Sequence, residues 1–454
     1  MFNLPIQPLK LTAKHKKLLK TSLVDAEHPG TIVHDFEVML DFFQGKGHLL
    51  TPAQQLPIAL VEQLNARIKH PIIVNTNRAK QKAYPQIHGL YLLLRASKLT
   101  VVEGTPKKPR LVINPSAYQS WQSLNPTERY FTLLRIWLLE ANLEILGERS
   151  SGFRSMLRLY QSTQWFFRDI PEGGMLIGGN QGLSERLNYT PGWHNLGLLD
   201  LFGIIRVQRA EPKVGQYWQI ERIERTAFGE ALLAAIEYGF KTMIETVLDA
   251  APESESLEEG KLRLFEALLK AYFPLWKNNL SLVKLDFRSG TYTFKVVLGD
   301  VWRRIAIDAS LSLDILAYAI LNAFQFDDDH LYQFSYRTPY GYTERMERAM
   351  EMGDWITYDT EKSTDEVTIG ELILPIGHQM TFLFDFGNNW EFDVLLEQLD
   401  PATTTPEPVM LEAHGEPPPQ YRYMDNDDFD DDDFDDEEES ENEASEDGDK
   451  HDEA

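Results

Sequence analysis

Two stretches of the N-terminal half share one order of apolar and polar positions. Residues 89–124 and 195–236 each predict an apolar helix, a β-branched strand, a loop with proline and lysine, an alternating strand and another helix. The first strands begin with the runs Leu99–Val102 and Ile204–Val207. A helix followed by a two-stranded wing closes a winged helix-turn-helix unit. The pattern therefore predicts a mainly α N-terminal half with two winged-helix-like units.

From Tyr292 the apolar positions alternate instead. TYTFKVVL and VWRRIAID, separated by Gly-Asp, predict a hairpin. SLSLDILAYAILNAF then has helical spacing, with Ser310 or Ser312 as the expected cap and Asp314 in the first turn. This domain is therefore predicted to be α+β. The apolar stripe of its helix consists of Leu313, Leu316, Ala317, Ile320 and Phe324.

The stretch FLFDFGNNWEF, residues 382–392, predicts a second hairpin with two possible registers. A two-residue loop, Gly387-Asn388, would mix apolar and charged side chains on each face. A three-residue loop that also includes Asn389 sets Phe386 opposite Trp390 and collects the apolar side chains on one face. Because a buried face determines register, the three-residue loop is favoured.

That register would set Asp385 opposite Glu391, and like charges directly opposite one another are destabilising. Arg303 or Arg304 from the earlier hairpin, an oxygen-liganded divalent cation or water could neutralise the pair. Trp390, on the apolar face, is expected to be part of the core.

Composition excludes several classes of protein. The chain has 454 residues and no cysteine, which excludes disulfides, thiolate metal sites and cysteine nucleophiles and fits a reducing compartment. No run approaches the roughly 18 apolar residues of a membrane span, and the N-terminus lacks the apolar segment of a signal peptide. A cytoplasmic protein without membrane contact is predicted.

Charge is distributed unevenly along the chain. The net charge is −26, yet residues 1–150 hold 19 lysines and arginines against 11 acids. From Asp425 onward there are 19 acids and one lysine, so an acidic disordered tail is predicted. The basic end suggests a nucleic-acid or protein partner, the tail a basic partner or a competitor for the basic surface. A solubilising tail beside a mildly basic domain is the simpler alternative.

Winged helices bind DNA with one helix in the major groove and a basic wing on the backbone, but they also serve as protein–protein modules. The second such helix, residues 195–203, is nearly all apolar, so DNA contact is predicted for the first unit only. The nucleic-acid candidates are Lys107, Lys108, Arg110, Arg78, Lys80 and Lys82.

His330 is the other candidate for chemistry. It follows three aspartates, and a carboxylate could orient its ring for base chemistry or metal binding. A histidine at the start of a strand more often caps backbone groups or packs at an interface. The chain shows no nucleophile with a neighbouring base and no phosphate-binding glycine loop. Catalytic residues therefore stay unknown, and neither a cofactor nor a metal is predicted.

Four motifs, VWRRIAI, SLDILAYAILNAFQFDDDHLYQFSY, TIGELIL and FLFDFGNNWEF, follow one another within residues 280–400. In this order they resemble the plasmid pRiA4b "open reading frame three" family, also labelled an insertion-element passenger protein family. The resemblance implies an α+β domain found on plasmids, mobile elements and bacterial chromosomes, with no established activity. Its motif residues here are Trp302, Arg303, Arg304, His330, Asp385, Gly387, Asn388, Trp390 and Glu391.

The chain departs from the family at two positions, since Asn388 stands where aspartate is usual and Phe392 where histidine is usual. These departures favour a protein that is not an enzyme, a multidomain binder of protein or nucleic acid. The alternative is a metal-dependent hydrolase or nuclease that uses the acidic cluster of Asp385 and Glu391 with His330. The predicted regions are 1–125 (helical, winged-helix-like and basic), 126–252 (helical, winged-helix-like), 262–400 (α+β) and 401–454 (disordered acidic tail).

Overall fold

The computed structural model of the chain contains both helices and strands, so its class is mixed α and β, as predicted. None of the helices in its described part is long and apolar enough to cross a membrane. The cytoplasmic location stays a prediction. The acidic run from Asp425, the linker before residue 265 and the candidate Arg78 lie outside the described residues. The structure describes residues 10–76, 79–105, 107–148, 152–212, 218–249, 265–282, 287–348 and 362–421.

In the first unit, helix α4 (Pro85–Ala96) leads into a hairpin of β2 (Thr100–Thr105) and β3 (Lys108–Ile113). The short strand β1 (His48–Leu49) pairs with β3, which gives an antiparallel sheet of order β1–β3–β2. Pro85 is the first residue of α4, where a missing N–H costs nothing. The preceding helices are α1 (Ala13–Thr21), α2 (Ile32–Phe42) and α3 (Ile58–Asn65).

The second unit repeats this order of elements. Helix α9 (Trp193–Leu201) leads into β5 (Ile205–Arg209) and β6 (Ile220–Arg225), and β4 (Met175–Leu176) pairs with β6. The order helix, strand, helix, helix, strand, strand thus occurs twice. The remaining helices are α5 (Pro115–Ser123), α6 (Pro126–Arg135), α7 (Gly152–Asp169), α8 (Gln181–Arg186) and α10 (Ala227–Asp249).

Helices α4 and α9 cross at two glycines. A Cβ atom on Gly197 would lie 3.0 Å from backbone atoms of Pro85 and Gln86. A Cβ atom on Gly89 would lie 2.7 Å from Leu198 Cγ. The two helices approach this closely because glycine has no side chain. All twelve residues of α4 are buried.

Buried apolar side chains form two clusters. The first extends from Leu19 to Leu280 and draws on both N-terminal units. The second, from Tyr292 to Leu396, belongs to the C-terminal domain. Side chains on both sides of residue 125 contribute to the first cluster. The domain boundary at that residue stays a prediction.

The C-terminal domain is an eight-stranded sheet with helix α11 (Leu313–Ala323) packed on it. The strands are β7 (Thr291–Leu298), β8 (Val301–Asp308), β9 (Tyr332–Arg337), β10 (Thr343–Glu347), β11 (Lys362–Ser363), β12 (Gln379–Phe384), β13 (Trp390–Asp400) and β14 (Val409–His414). Their order is β11–β10–β9–β12–β13–β7–β8–β14. The predicted first hairpin is β7–β8, Ser312 caps α11, and the predicted apolar stripe of α11 is buried.

Part of the predicted disordered tail is ordered. Residues 401–421 are described, and within them β14 pairs with β8 at the edge of the sheet. The prediction of disorder from residue 401 is therefore wrong for this part. The physical reason is the ladder of backbone hydrogen bonds to β8, along which Met410 pairs with Ile305 and His414 with Trp302.

The close crossing of α4 and α9 predicts that a larger side chain at Gly197 destabilises the fold. Gly197→Val should lower the free energy of unfolding by about 1–3 kcal/mol, because the new side chain overpacks against the facing backbone. Gly182→Val in α8 is the matched control, since a Cβ atom there meets only Asn180 Oδ1 at 3.7 Å. Its effect should stay within about 0.5 kcal/mol. Urea unfolding followed by circular dichroism measures both, and equal effects would contradict the crossing.

Candidate functional site

The turn at the FLFDFGNNWEF motif is longer than predicted. Strand β12 ends at Phe384, which pairs with Trp390 at the start of β13, so residues 385–389 form the turn. The predicted three-residue loop is wrong. Phe382 pairs with Phe392, a shift of two positions, so the apolar side chains still share one face, as predicted.

Asp385 is the reason for the longer turn. Its φ of 55° lies in the left-handed region, which ends the strand. Its carboxylate accepts hydrogen bonds from the N–H of Gly387 (2.9 Å), the N–H of Asn388 (3.3 Å) and Nδ2 of Asn388 (2.6 Å). Such local bonds are typical of an Asx turn. The predicted pair of Asp385 and Glu391 is therefore not formed, and Glu391 pairs with Leu383 instead.

The ring of His330 lies beside Asp385. Its Nδ1 lies 2.7 Å from Asp329 Oδ1, and its Nε2 lies 3.7 Å from Asp385 Oδ2. The hydrogen bond with Asp329 raises the pKa of His330, and the charge of Asp385 adds to it. Burial acts to raise the pKa of Asp385, but the hydrogen bonds from Asn388 and Gly387 outweigh burial and lower it. The imidazole thus lies between two carboxylates that favour its protonated form.

Two residues near the end of the described chain complete this cluster. The Tyr421 hydroxyl donates to Asp329 Oδ2 over 2.6 Å, and Gln420 Nε2 donates to Asp329 Oδ1 over 2.9 Å. The backbone N–H of Asp327 donates to Gln420 Oε1 over 2.6 Å. The hydrogen bond to Asp329 raises the pKa of Tyr421 to about 12. Sequence reasoning missed both residues, for which the EPPPQY segment before the acidic run was the available signal.

The arginines of the VWRRIAI motif do not contact this cluster. Arg303 is buried and donates to the carbonyl groups of Trp302, Ala323 and His414, each over 2.9 Å. The expectation that Arg303 or Arg304 neutralises Asp385 is therefore wrong. The physical reason is that other acceptors are in reach, namely backbone carbonyl groups for Arg303 and carboxylates for Arg304.

Arg304 lies on the opposite face of β8 from Arg303. It pairs with Glu397, with Nε 2.6 Å from Oε2, and also with Glu412. Its guanidinium group lies 5.0 Å from the Trp302 ring. Trp390, by contrast, packs edge-on against Phe326, with ring centroids 5.0 Å apart.

The chemistry available to the His330 cluster is limited. Within the described ranges, no group of three or more His, Asp or Glu side chains is arranged to hold a metal ion. The Asp385 carboxylate is engaged by the turn, and the Asp329 carboxylate by His330 and Tyr421. The cluster can hold a proton on His330 and present the half-exposed rings of Phe386 and Tyr421 to a partner.

The nucleic-acid candidates lie on the first unit. Lys107 and Lys108 are exposed at the turn between β2 and β3, and Lys80 and Lys82 are exposed before α4. Arg110 is engaged locally, since its Nη1 donates to the carbonyl groups of residues 46 and 47 over 3.2 and 3.1 Å. The turn between β2 and β3 thus keeps two exposed lysines, Lys107 and Lys108.

A second basic surface was missed by sequence reasoning. Four lysines of α1 are exposed, and none forms an ion pair with another described residue. The run KHKKLLK was the signal that could have indicated it. We call these residues the α1 lysine surface; it consists of Lys14, Lys16, Lys17 and Lys20.

The comparison with family models concerns the C-terminal domain. The family model described as plasmid pRiA4b ORF-3-like protein matches residues 291–438, which confirms the predicted resemblance for this domain. The uncharacterized protein y4hQ of Sinorhizobium fredii is 29% identical over 122 residues, 26% of this chain. The chain spans 58% of that relative's length. A crystal structure of a protein of unknown function, MM3350 from Methanosarcina mazei Go1, aligns with 28% of this chain and 69% of its own at 19% identity, with a TM-score of 0.23.

The environment of His330 predicts its titration. Its NMR midpoint should lie above about 6.5, the ordinary histidine value. Asp329→Asn should lower the midpoint more than Asp385→Asn, because the hydrogen bond with Asp329 is the larger cause. Because its pKa is raised, His330 stabilises the fold below the unfolded-state pKa and loses this effect as the pH rises through the folded-state pKa.

Glu391→Gln is the control for this titration, since Glu391 is exposed and pairs with Leu383 across the hairpin. That variant should leave the His330 midpoint unchanged. A midpoint at or below 6.5 in the unsubstituted chain would contradict the geometry of the cluster.

Proposed function

We propose that this chain is a non-catalytic binding protein whose N-terminal half consists of two winged-helix units used for protein contact. The order helix, strand, helix, helix, strand, strand, found twice, supports the winged-helix assignment. In both units the first strand pairs with the last, so each wing hairpin is part of a three-stranded sheet.

The observation that carries the proposal is the burial of α4 against α9. In a helix-turn-helix protein that reads DNA, the second helix of the motif lies in the major groove. Helices α4 and α9 occupy that position in their units, yet all twelve residues of α4 are buried. Side chains that pack against another helix cannot contact base edges.

The contact between the two helices includes a hydrogen bond from Gln86 Nε2 to Asp200 Oδ2 (3.3 Å) and a pair of histidines. His88 and His194 meet edge-on, with ring centroids 5.9 Å apart. Burial lowers the pKa of His88 to about 3 and that of His194 to about 4, so both rings are neutral at neutral pH. A DNA-reading surface would instead present cationic side chains to the phosphates.

The wing of the first unit is occupied by the C-terminal domain. The backbone N–H of Val102 in β2 donates to the Pro339 carbonyl over 2.9 Å. The Lys98 ammonium group lies 5.4 Å from the Tyr340 ring. These contacts place the turn between β9 and β10 on the strand that a DNA-binding wing would turn toward the backbone.

The second wing is held within the N-terminal half. Arg209 of β5 donates Nη1 to the carbonyl of Pro71 over 2.7 Å and Nη2 to the carbonyl of His70 over 2.9 Å. Its guanidinium group is thus used to join the two units. The exposed lysines of the first unit leave non-specific phosphate contact as the mode of DNA binding that the fold permits.

Catalysis receives no support from the acidic residues. The hydrolase alternative needs Asp385 and Glu391 to share a cation with His330. The Asp385 carboxylate is engaged by the turn, and Glu391 lies opposite Leu383 in the strand ladder rather than opposite Asp385. A binding role for the domain follows from exposed aromatic residues rather than from a reactive group.

Selection of bound duplexes from a random DNA pool by the full chain tests the proposal. We expect no enriched sequence, because base edges are out of reach of α4 and α9. Binding at low salt should fall steeply between 50 and 200 mM salt, as phosphate contacts do. An enriched motif would overturn the proposal.

Charge reversal at Lys107 and Lys108 tests whether DNA is attracted by the first wing or by the positive charges of the chain in general. The double variant Lys107→Glu, Lys108→Glu should weaken low-salt binding by several-fold. Lys277→Glu, at an exposed position outside the wing, is the matched control and should change it by less than about two-fold.

Divalent cations test the alternative. The melting temperature of the full chain should change by less than about 1 °C in 1 mM Mg²⁺, Mn²⁺ or Ca²⁺, because a cation stabilises only a fold that binds it. Asp385→Ala should lower the melting temperature by a few degrees, since the turn loses hydrogen bonds. A cation-induced rise of several degrees that disappears in Asp385→Ala would favour the hydrolase.

A further inference from the structure

The α1 lysine surface is mounted on a well-defined helix. Thr12 caps α1 by accepting the N–H of His15, and the His15 ring accepts the N–H of Thr12 in return. Leu19 is fully buried in the first core cluster, so the opposite side of α1 faces solvent. Lys20 lies in the last turn, where the helix dipole favours positive charge. The lysines are therefore held as one array rather than scattered.

The α1 lysine surface holds more lysines over a short stretch than the turn between β2 and β3 does. It holds four lysines within seven positions, whereas the wing turn offers Lys107 and Lys108. No lysine of the array has an acidic partner among the described residues. The acidic contact of α1 is made by its histidine, whose Nε2 lies 4.0 Å from Glu230 Oε1. A polyanion is the ligand that such an array would take.

The chain carries a polyanion of its own. Residues 422–454 follow Tyr421 and contain 19 acids. Fully extended, these 33 residues would reach about 110 Å, which exceeds the diameter of a compact domain of this chain's length. The tail leaves the fold beside Asp327 and Asp329, whose carboxylates repel it from its own exit point.

We propose that the acidic tail, residues 422–454, docks on the α1 lysine surface of the same chain. The tail is favoured over an external polyanion because tethering gives it an effective concentration in the millimolar range. The docked tail acts as a competitor, so an external anionic partner gains access to α1 only by displacing it.

Zero-length cross-linking of the full chain with a carbodiimide tests this inference, because the reagent joins a lysine amine to a contacting carboxylate as an amide. At 50 mM salt, most cross-linked tail peptides identified by mass spectrometry should contain a lysine of α1. The yield should fall at least five-fold at 1 M salt, where the screening length is about 3 Å. A mixture of ¹⁴N- and ¹⁵N-labelled chains should give pairs of one isotope only.

Each other outcome overturns the inference. Mixed-isotope pairs would show that the tail docks on a second copy of the chain. Cross-links spread evenly over α1, Lys107, Lys108 and Lys277 would show non-specific attraction. Absence of tail cross-links at 50 mM salt would show that the tail does not dock.

A charge-neutralised tail provides a second readout in the full chain. Converting residues 430–433 from Asp to Asn should reduce cross-linking of the remaining tail acids to α1 by at least two-fold, since fewer charges hold the tail in place. Four exposed acids of the C-terminal domain converted to amides form the matched control and should leave the yield unchanged. These control residues are Glu391, Asp393, Glu407 and Glu416.

Discussion

The contact between α4 and α9 is the constraint on which the N-terminal half depends. Two helices can pack at the distance observed only if their facing positions lack side chains, and Gly89 and Gly197 provide that space. The contact joins the two units through the helix that precedes the hairpin in each of them. Side chains of both units then share one apolar cluster.

The position of the C-terminal domain depends in turn on the first unit. Arg95 of α4 is fully buried and donates to the Tyr91 hydroxyl over 2.7 Å and to the Pro339 carbonyl over 3.3 Å. A buried guanidinium group is costly unless its N–H groups are satisfied. The Pro339 carbonyl, in the turn between β9 and β10, therefore provides one of the hydrogen-bond acceptors that the buried guanidinium group of Arg95 needs.

A second contact secures the same turn. Glu144 accepts the backbone N–H of Thr343 over 2.6 Å and pairs with Arg345 over 3.0 Å. Both partners belong to β10, and the carboxylate comes from the connection between the two N-terminal units. The N-terminal half and the C-terminal domain thus meet through several contacts at and beside the turn between β9 and β10.

The periodicity of apolar residues was sufficient to predict elements whose structure is determined by the burial of one face. The alternation in β7 and β8 and the stripe on α11 follow from one apolar face, and the structure has both. Periodicity also fixed which residues of the second hairpin share a face. It could not fix the length of the turn, because that depends on Asp385 adopting a left-handed conformation, which a short polar residue permits but does not require.

Contacts between side chains that are distant in sequence could not be predicted from periodicity either. The pairing of Arg304 with Glu397 and the approach of Tyr421 to Asp329 depend on which strands become neighbours. The burial of α4 had a visible signal, since QIHGLYLLLRA is apolar on nearly all sides, as a fully buried helix is. The helix that covers it could not be identified from that pattern.

The two family departures acquire a physical meaning in this fold. Asn388 donates Nδ2 to the Asp385 carboxylate over 2.6 Å, so an aspartate here would replace a hydrogen-bond donor with a like charge. Phe392 is fully buried, with its ring centroid 5.1 Å from that of Phe324, where a histidine would bring a titratable group into the core. In this structure Asn388 therefore supports the turn through a hydrogen bond, and Phe392 contributes to the core.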